Sequence, residues 1–322
     1  MPPVDRHNPI RAASSESTCN LLEFFREYPD DETCLGYIWR ERFSPDGEHA
    51  RCDRCATERV FRRYETAQKR PAWYCQTCGF RIHPLKGTIF EGSSTSLQLW
   101  FFAMYLIAST RCGVSAKQLE RELGVTYKTA WRMFNLIRNQ LMSQDGDDPL
   151  SGEVEADEAW IGGKMRETEK RAAARAEKRT GAARSGPYVK KRQTVFGMVE
   201  RGGRAKATIV PSRYGYTLRS QIREAVELGS TIYTDDYYGY NGVELVYQHH
   251  RINHSARVYV SGDIHTQTIE GFFGLFKNAI RGVHHGVSPK WLQGYCNEYA
   301  WRWNRRHEPQ RIFRDLLSAA AR

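Results

Sequence analysis

Two closely spaced pairs of cysteines constrain the fold of this chain more than any other feature of its sequence. RCDRC carries Cys52 and Cys55, WYCQTCGF carries Cys75 and Cys78, and nineteen residues separate the two pairs. Each CxxC spacing turns two thiolates toward one point, and four thiolates complete the tetrahedral shell of a structural zinc ion. The sequence therefore predicts a zinc ion held by these four cysteines.

Two disulfides and a redox-active dithiol are the alternative interpretations of these pairs. Disulfides are rare in a reducing compartment, and a redox motif consists of one CxxC beside a βαβ unit. Residues 60–64 and 72–74, between the pairs, have the aromatic and branched side chains typical of strands. We therefore expect a small zinc ribbon over residues 49–90, preceded by an N-terminal helical segment over residues 17–48.

The composition is typical of a globular protein with an anionic partner. Of the 322 residues, 40% are hydrophobic and 12% aromatic, which is enough for two or three packed domains. A formal net charge of +11 favours a nucleic acid as the partner. The first residues lack the apolar core of a secretion signal, and the longest apolar run, residues 100–108, is too short for a bilayer. We expect a cytoplasmic protein that joins the nucleoid when bound to DNA and has no membrane contact.

Most of the positive charge lies in one stretch. Residues 164–192 contain eleven Lys or Arg and three Asp or Glu, with almost no large apolar side chain. This pattern predicts a flexible basic insertion. It is either a solvated loop without a specific role or a set of phosphate contacts beside an acidic site.

Two short amphipathic helices are predicted around Gly124, within residues 95–142. Ser115 and Thr126 are suitable N-cap residues for them. The arrangement is typical of a DNA-binding helix-turn-helix, although two helices packed about a glycine also occur in other helical domains. In the DNA-binding interpretation, the second helix presents to the major groove the residues Tyr127, Lys128, Thr129 and Arg132.

The second half of the chain has a different pattern. Alternating apolar residues predict three strands, at 154–161, 193–200 and 205–210. A helix over 218–228 then leads to a fourth strand at 231–234.

Three antiparallel strands, a crossover helix and a further strand form the strand order of a ribonuclease-H-like domain. We place this domain at residues 150–308 and expect helices over 268–280 and 289–305 to close it. The predicted fold class is therefore α/β, with a ribonuclease-H-like domain preceded by a zinc ribbon and a helix-turn-helix.

Three carboxylates are distinguished by their positions in these elements. Asp157 lies within the first strand, where an unpaired acid is costly, and Asp235 ends the fourth strand at the edge where α/β sheets bind ligands. Glu270 opens the helix that follows. Two aspartates on neighbouring strands and a glutamate from a helix provide hard oxygen ligands for two Mg²⁺ or Mn²⁺ ions. Such an ion pair activates a water or 3′-hydroxyl for in-line phosphoryl transfer.

Neighbouring acids have other interpretations. Side chains of adjacent strand residues point to opposite faces, so Glu158 is expected on the face opposite Asp157, and Glu155 on the same face. Glu298 and Arg302 are four residues apart and predict an ion pair on one helix.

Three motifs together resemble one family. GEVEADEAWIGGK, TDDYYGY and HTQTIEGFFGLFKNAIRGVHHGVSPKWLQGYCNEYAWRWNRR are similar to motifs of the DDE transposases of bacterial insertion sequences, in the zinc-ribbon group named IS-fifteen-ninety-five. The resemblance extends over residues 17–310. It implies a ribonuclease-H-like fold, a catalytic triad of Asp157, Asp235 and Glu270, two divalent cations and DNA transposition.

The chain departs from the family pattern in two informative places. The first cysteine motif, CDRCA, lacks the usual proline and glycine. HTQTIE has Gln267 where relatives have asparagine, and some members use that asparagine as the third metal ligand. Glu270 is our choice for this ligand, with Gln267 left open.

The expected activity is cleavage at inverted-repeat ends followed by transfer of the 3′-hydroxyl to target DNA. Pairing two ends requires at least a dimer. We expect Lys277 and Arg281 to contact DNA phosphates beside the cut, the alternative being a solvated helix flank. Two other functions remain open: a non-catalytic DNA-binding regulator derived from a transposase, and a ribonuclease-H-like nuclease without strand transfer.

Overall fold

A computed structural model describes residues 19–65, 71–110, 112–143, 148–162, 193–252 and 265–322. The predicted basic insertion at 164–192 lies outside these residues. The chain divides into two compact units, one formed by Met1–Leu141 with His307–Arg322, the other by Met142–Arg306. The return of the last residues to the first unit was not predicted from the sequence.

The first unit contains a four-stranded antiparallel sheet. Its strands follow one another in chain order: β1 (His49–Cys52), β2 (Thr57–Glu65), β3 (Pro71–Cys75) and β4 (Arg81–Ile82). Trp73 of β3 stacks on Trp39 with ring centroids 4.7 Å apart. This stacking attaches the small sheet to the helical part of the unit.

Six α-helices complete the first unit within the described residues. They are α1 (Leu21–Glu27), α2 (Asp31–Arg42), α3 (Leu97–Ser109), α4 (Ala116–Leu123), α5 (Tyr127–Leu136) and, from the end of the chain, α9 (Ile312–Ala320). Phe24 is fully buried, and its ring contacts Tyr105 of α3 and Phe313 of α9. Aromatic packing of this kind holds the first and last described helices together.

The second unit is built on a five-stranded mixed sheet. Its strands are β5 (Glu153–Ile161), β6 (Gln193–Glu200), β7 (Ala205–Val210), β8 (Thr231–Asp235) and β9 (Gln248–Ile252). Their spatial order is β7-β6-β5-β8-β9; β5, β6 and β7 pair antiparallel, whereas β8 is parallel to both β5 and β9. The mixed α/β class predicted from the sequence is confirmed.

Helices cover both faces of this sheet. On one face, α7 (Gln267–Gly282) and α8 (Leu292–Asn304) bury their apolar side chains against β5, β6 and β7. On the other face, α6 (Gly215–Ala225) packs on the opposite side chains of the same strands. Both faces of the sheet are therefore covered by helices, and a polar side chain buried between the sheet and a helix needs a hydrogen-bond or charge partner.

Side-chain amides of α8 pair with the outer edge of β7. Gln293 accepts a hydrogen bond from Ile209 N at 2.9 Å and donates one to Ala207 O at 3.1 Å. Asn304 accepts one from Ala205 N at 2.7 Å. Among the described strands, β7 lies at the border of the sheet, and these amides satisfy backbone groups on its outer side.

The crossover helix differs from its prediction at both ends. It begins at Gly215 and ends at Ala225, whereas the sequence pattern predicted 218–228. Val226 is extended and forms a parallel bridge with Leu150, which ends the helix. Tyr214, the N-cap residue, makes no capping hydrogen bond with its side chain, so the sequence carries no signal for the start.

Within the ranges that the structure describes, no helix is both long enough and apolar enough to cross a bilayer.

Candidate active site and metal centre

The four predicted cysteine ligands lie together in the small sheet. The Sγ atoms of Cys52, Cys55, Cys75 and Cys78 are all within 4.8 Å of one another, and those of Cys52 and Cys78 are 3.5 Å apart. Two tight turns produce this grouping, because Ala56 and Gly79 have positive φ angles of 55° and 72°. Four thiols converging on one point fit a tetrahedral zinc ion.

Two of the three predicted carboxylates, Asp157 and Asp235, occupy equivalent positions on two neighbouring strands of the five-stranded sheet. Glu155 of β5 lies opposite Tyr233 of the parallel strand β8. Two residues further along each strand come Asp157 and Asp235. Since side chains repeat every two residues along a strand, both aspartates lie on the same face of the sheet.

The environment of Asp157 disfavours its charge. Burial, and then repulsion from Glu158 and from Asp235, raise the pKa of Asp157 from 3.8 to about 7. A hydrogen bond from Glu158 N to Asp157 Oδ1 at 2.7 Å and the positive charge of Lys277 act in the opposite direction. A carboxylate in this position favours a bound cation.

Asp235 is partly exposed where β8 ends. Its Oδ1 atom accepts a hydrogen bond from Tyr237 N at 3.1 Å, which holds the turn that follows the strand. Asp236, the next residue, is exposed. The two neighbouring acids therefore differ in environment: Asp235 ends the strand and Asp236 lies just beyond it.

Glu155 joins β5 to the start of α7. It is fully buried, and its Oε2 accepts hydrogen bonds from Thr268 N at 2.8 Å and Ile269 N at 3.0 Å. Its Oε1 accepts a further bond from Thr268 Oγ1 at 3.0 Å. Because free backbone N–H groups open every helix, this carboxylate acts as a cap supplied by a distant strand.

Arg201 balances the charge of Glu155. Its Nε donates to Glu155 Oε1 at 2.9 Å, its Nη2 donates to His265 O at 2.9 Å, and its guanidinium lies 3.8 Å from the ring centroid of Tyr233. His265 Nδ1 is 3.1 Å from Glu155 Oε1. This set of contacts fixes the beginning of α7, three residues before Glu270.

Glu270 lies in the first turn of α7 and is exposed, with its Oε1 3.4 Å from Thr266 Oγ1. Gln267, the alternative ligand, is also exposed. Among the residues that the structure describes, only the four cysteines form a group of three or more Cys, His, Asp or Glu ligand atoms all within 4.8 Å. The three predicted catalytic carboxylates are thus less tightly grouped than the thiols.

The predicted phosphate contacts occupy later turns of α7. Lys277 is half-buried, with its Nζ 5.5 Å from the ring centroid of Phe273, and its charge acts on Asp157. Arg281 is exposed one turn further on. Lys277 therefore lies on the carboxylate side of the helix.

Glu158 has its own partners on the opposite face, as its position in the strand predicted. Its carboxylate forms an ion pair with Arg213 and accepts a hydrogen bond from Tyr240 Oη, and its side chain is 3% exposed. On α8, the predicted pair of Glu298 and Arg302 is present, with an N–O distance of 2.9 Å.

The two helices around Gly124 have the predicted caps. The Ser115 side chain accepts from Gln118 N, the Thr126 side chain accepts from Thr129 N, and Gly124 has a φ of 64°. Three of the four predicted major-groove residues, Tyr127, Lys128 and Arg132, are exposed. Thr129 is half-buried, and its hydroxyl contacts that of Thr126 at 3.0 Å.

Sequence reasoning missed Arg201 and Gly197. The partners of Arg201 come from distant parts of the chain, so it left no local signal. Gly197 lies opposite Asp157 in the interior of β6, and a glycine within a strand does indicate a close approach by another element.

Residues 149–304 match the family described as ISXO2-like transposase domain. This match supports an insertion-sequence transposase of the ISXO2-like type. A curated relative, described as an uncharacterized protein in transposable element ISH50 of Halobacterium salinarum, is 27% identical over 256 residues. The alignment covers 78% of this chain and 84% of the relative. No solved structure matches.

These similarities confirm the resemblance to insertion-sequence transposases that the motifs indicated. The family match suggests an activity of the polynucleotidyl-transferase type and implies DNA binding. Because the relative is archaeal, the comparisons do not support the bacterial source that the resemblance suggested.

Proposed function

We propose that the chain is a DDE transposase that cleaves DNA at the inverted-repeat ends of its element and joins each 3′-hydroxyl to target DNA. Asp157, Asp235 and Glu270 are its catalytic carboxylates. The second unit is a ribonuclease-H-like domain, in which three antiparallel strands are followed by a helix and parallel strands. The first unit combines a zinc ribbon with a helix-turn-helix.

One observation carries this proposal: the common face of Asp157 and Asp235 next to the anchored start of α7. The two aspartates follow the paired residues Glu155 and Tyr233, and Glu155 is bonded to the turn from which Glu270 projects. This arrangement supports the assignment of the three acids, from distant parts of the chain, to one site.

The donor sets fit the two kinds of metal that the proposal requires. Four thiols suit zinc, which has a structural role in the ribbon. Carboxylates suit Mg²⁺ or Mn²⁺, and the raised pKa of Asp157 fits a site whose charge is balanced by cations. Two ions about 3.5–4 Å apart are held by ligands that do not all surround one point, so three carboxylates can serve them with a wider spacing than the four thiols.

When bound, two such ions supply activation of the attacking water or 3′-hydroxyl and stabilisation of the leaving oxygen. The protein's own contribution is orientation. Glu155 and Arg201 hold the start of α7, and Lys277 reduces the repulsion between the carboxylates and DNA phosphate. The hydrogen bond from Glu158 N orients the carboxylate of Asp157.

DNA recognition is assigned to two surfaces. Tyr127, Lys128, Thr129 and Arg132 of α5 read the transposon ends, and Lys277 and Arg281 of α7 contact phosphates near the cut. Two ends are processed together, so the active assembly is at least a dimer.

A strand-transfer assay tests the proposal. Full-length protein is incubated with Mg²⁺ and DNA that carries the inverted repeats flanking its gene, and cleavage and joining are followed on sequencing gels. We expect Asp157→Asn, Asp235→Asn and Glu270→Gln each to abolish both products while DNA binding is retained. Asp236→Asn is the matched control, because it removes an exposed acid adjacent to Asp235 and is expected to keep activity.

The other candidate functions predict different results. Binding without products in the wild-type protein contradicts the enzyme proposal and favours a regulator. Cleavage without joining favours a nuclease. Activity that persists in Glu270→Gln but is lost in Gln267→Ala moves the third ligand to Gln267.

A further inference from the structure

Four large aromatic side chains are exposed near the ends of β5 and β8. Trp160 is 56% exposed, Tyr214 63%, Tyr216 68% and Tyr238 66%. In sequence, Trp160 is close to Asp157 and Tyr238 is close to Asp235, whereas Tyr214 and Tyr216 follow Arg213. We call these four side chains the aromatic patch.

The backbone beneath the patch is closely packed. A Cβ atom at Gly215 would lie 2.9 Å from Gly239 O, and one at Gly239 would lie 3.0 Å from Arg213 O. Tyr237 Oη also donates to Arg213 O at 3.2 Å. The segments that carry Tyr214, Tyr216 and Tyr238 are therefore in direct contact, and the rings are presented on a fixed backbone.

Arg213 connects Trp160 to the same group. Its guanidinium lies 5.1 Å from the ring centroid of Trp160 and 4.1 Å from that of Tyr237, and it is paired with the buried carboxylate of Glu158. Tyr214 and Tyr216 stack on each other with centroids 6.1 Å apart. Rings held in this way lose little conformational entropy when a flat ligand stacks on them.

We infer that the aromatic patch binds unpaired DNA bases at the end of the sheet that carries the proposed cleavage site. The inference rests on the proposed function for the location of that site. Trp160 and the pair of Glu158 and Arg213 lie on the face of the sheet opposite Asp157, at the end where β8 stops. Bases are neutral and present aromatic faces, so nearby carboxylates repel them less than they repel phosphates. Exposed aromatic rings beside an arginine are the usual platform for single-stranded nucleic acid, and the net charge of +11 favours a polyanion over an acidic protein.

The test measures DNA binding without cleavage. Full-length protein carrying Asp157→Asn is titrated, in zinc-containing buffer without Mg²⁺, into a fluorescently labelled 12-nucleotide oligothymidine and into a 12-base-pair duplex. Fluorescence anisotropy gives both affinities. Because cleavage plays no part in the readout, failure of the transposase proposal does not alter the result.

We expect Tyr214→Ala with Tyr216→Ala to weaken binding of the single strand by about tenfold or more and that of the duplex by less than twofold. Tyr214→Phe with Tyr216→Phe retains the rings and should retain binding. Leu245→Ala is the control for loss of an exposed apolar side chain in the same unit. Circular dichroism establishes that each variant is folded.

Three results would overturn the inference. The first is unchanged single-strand affinity in the alanine variant. The second is an equal loss for single strand and duplex, which indicates contact with the DNA backbone alone. The third is a self-association of the parent protein, seen by sedimentation, that the alanine variant loses; the patch is then an interface between copies of this chain.

Discussion

Gly197 lies directly opposite Asp157 in the sheet, and a Cβ atom there would be 2.7 Å from Phe273 Cζ. The absence of a side chain at this position lets α7 pack against β6. The distance between the sheet and α7, the helix that carries Glu270, therefore depends partly on this glycine.

Gly197→Ala should move or strain α7. We expect a loss of roughly 1–3 kcal/mol in the free energy of unfolding, because the new methyl group overlaps Phe273 and Ile269. DNA cleavage should fall as well. Gly274→Ala in α7 is the control; its Cβ meets nothing within 4 Å, and we expect a gain of about 0.5–1 kcal/mol. Urea unfolding that ranks the two variants in the opposite order would contradict this account.

Glu155→Gln should loosen the start of α7. The amide loses the charge that pairs with Arg201 and cannot accept all the bonds from Thr268 and Ile269, so we expect a cost of about 3 kcal/mol. Hydrogen exchange should accelerate at the amides of Thr268 and Ile269. Glu153→Gln is the control, since Glu153 also contacts Arg201 but its side chain is 51% exposed, and it should cost below about 1 kcal/mol. Equal effects of the two substitutions would show that burial of Glu155 is unimportant.

Asp157→Asn should stabilise the protein at pH 8 when Mg²⁺ is absent. The pKa of Asp157 is about 7 in the folded state and near 3.8 when unfolded, so the folded state binds the extra proton between these values. Wild-type stability then falls as pH rises from about 4 to 7 and stays lower above that range, by up to about 4 kcal/mol. The asparagine variant lacks this loss. Thermal unfolding across pH checks this prediction, and parallel curves for the two proteins would refute it.

Cys78→Ser should release zinc and unfold the ribbon. We expect about one zinc ion per chain in the wild-type protein and far less in the variant, with a lower unfolding temperature. Cys112→Ser is the control, because Cys112 is exposed and is not part of the four-cysteine cluster. Metal analysis by atomic absorption decides the point; full zinc content in Cys78→Ser would exclude this cysteine as a ligand.

Lys277→Ala with Arg281→Ala should weaken DNA binding and reduce its salt dependence. Each lost phosphate contact lowers the slope of log affinity against log salt concentration by about 1. Lys290→Ala, an exposed lysine beyond α7, serves as the control. If affinity and slope are unchanged in the double variant, the two side chains form only a solvated helix flank.

The strands with one clear pattern were predicted almost to the residue. Glu153–Ile161, Gln193–Glu200 and Ala205–Val210 agree with the predicted 154–161, 193–200 and 205–210 because both faces of the sheet are buried by apolar side chains. The fifth strand, Gln248–Ile252, was missed. Its sequence QHHRI is polar, and most of its side chains are only half-buried, so no alternation was visible.

The sequence singled out the acids of the candidate site, whose catalytic roles stay predictions, but not the contacts that hold them in place. Asp157 and Asp235 were singled out because an acid within or ending a strand is unusual. Glu155 serves the backbone of residues more than 110 positions away, and no local pattern reports such a contact. The aromatic patch was equally hidden, since Gly215 and Gly239 meet only after folding.

The amides of Gln293 and Asn304 have a consequence for assembly. By bonding Ala205, Ala207 and Ile209, they deny this border of the sheet to an incoming strand. A strand from a second copy of this chain would have to displace these hydrogen bonds before it could extend the sheet past β7. Helix α8 therefore protects the exposed edge of the sheet as well as contributing to the core.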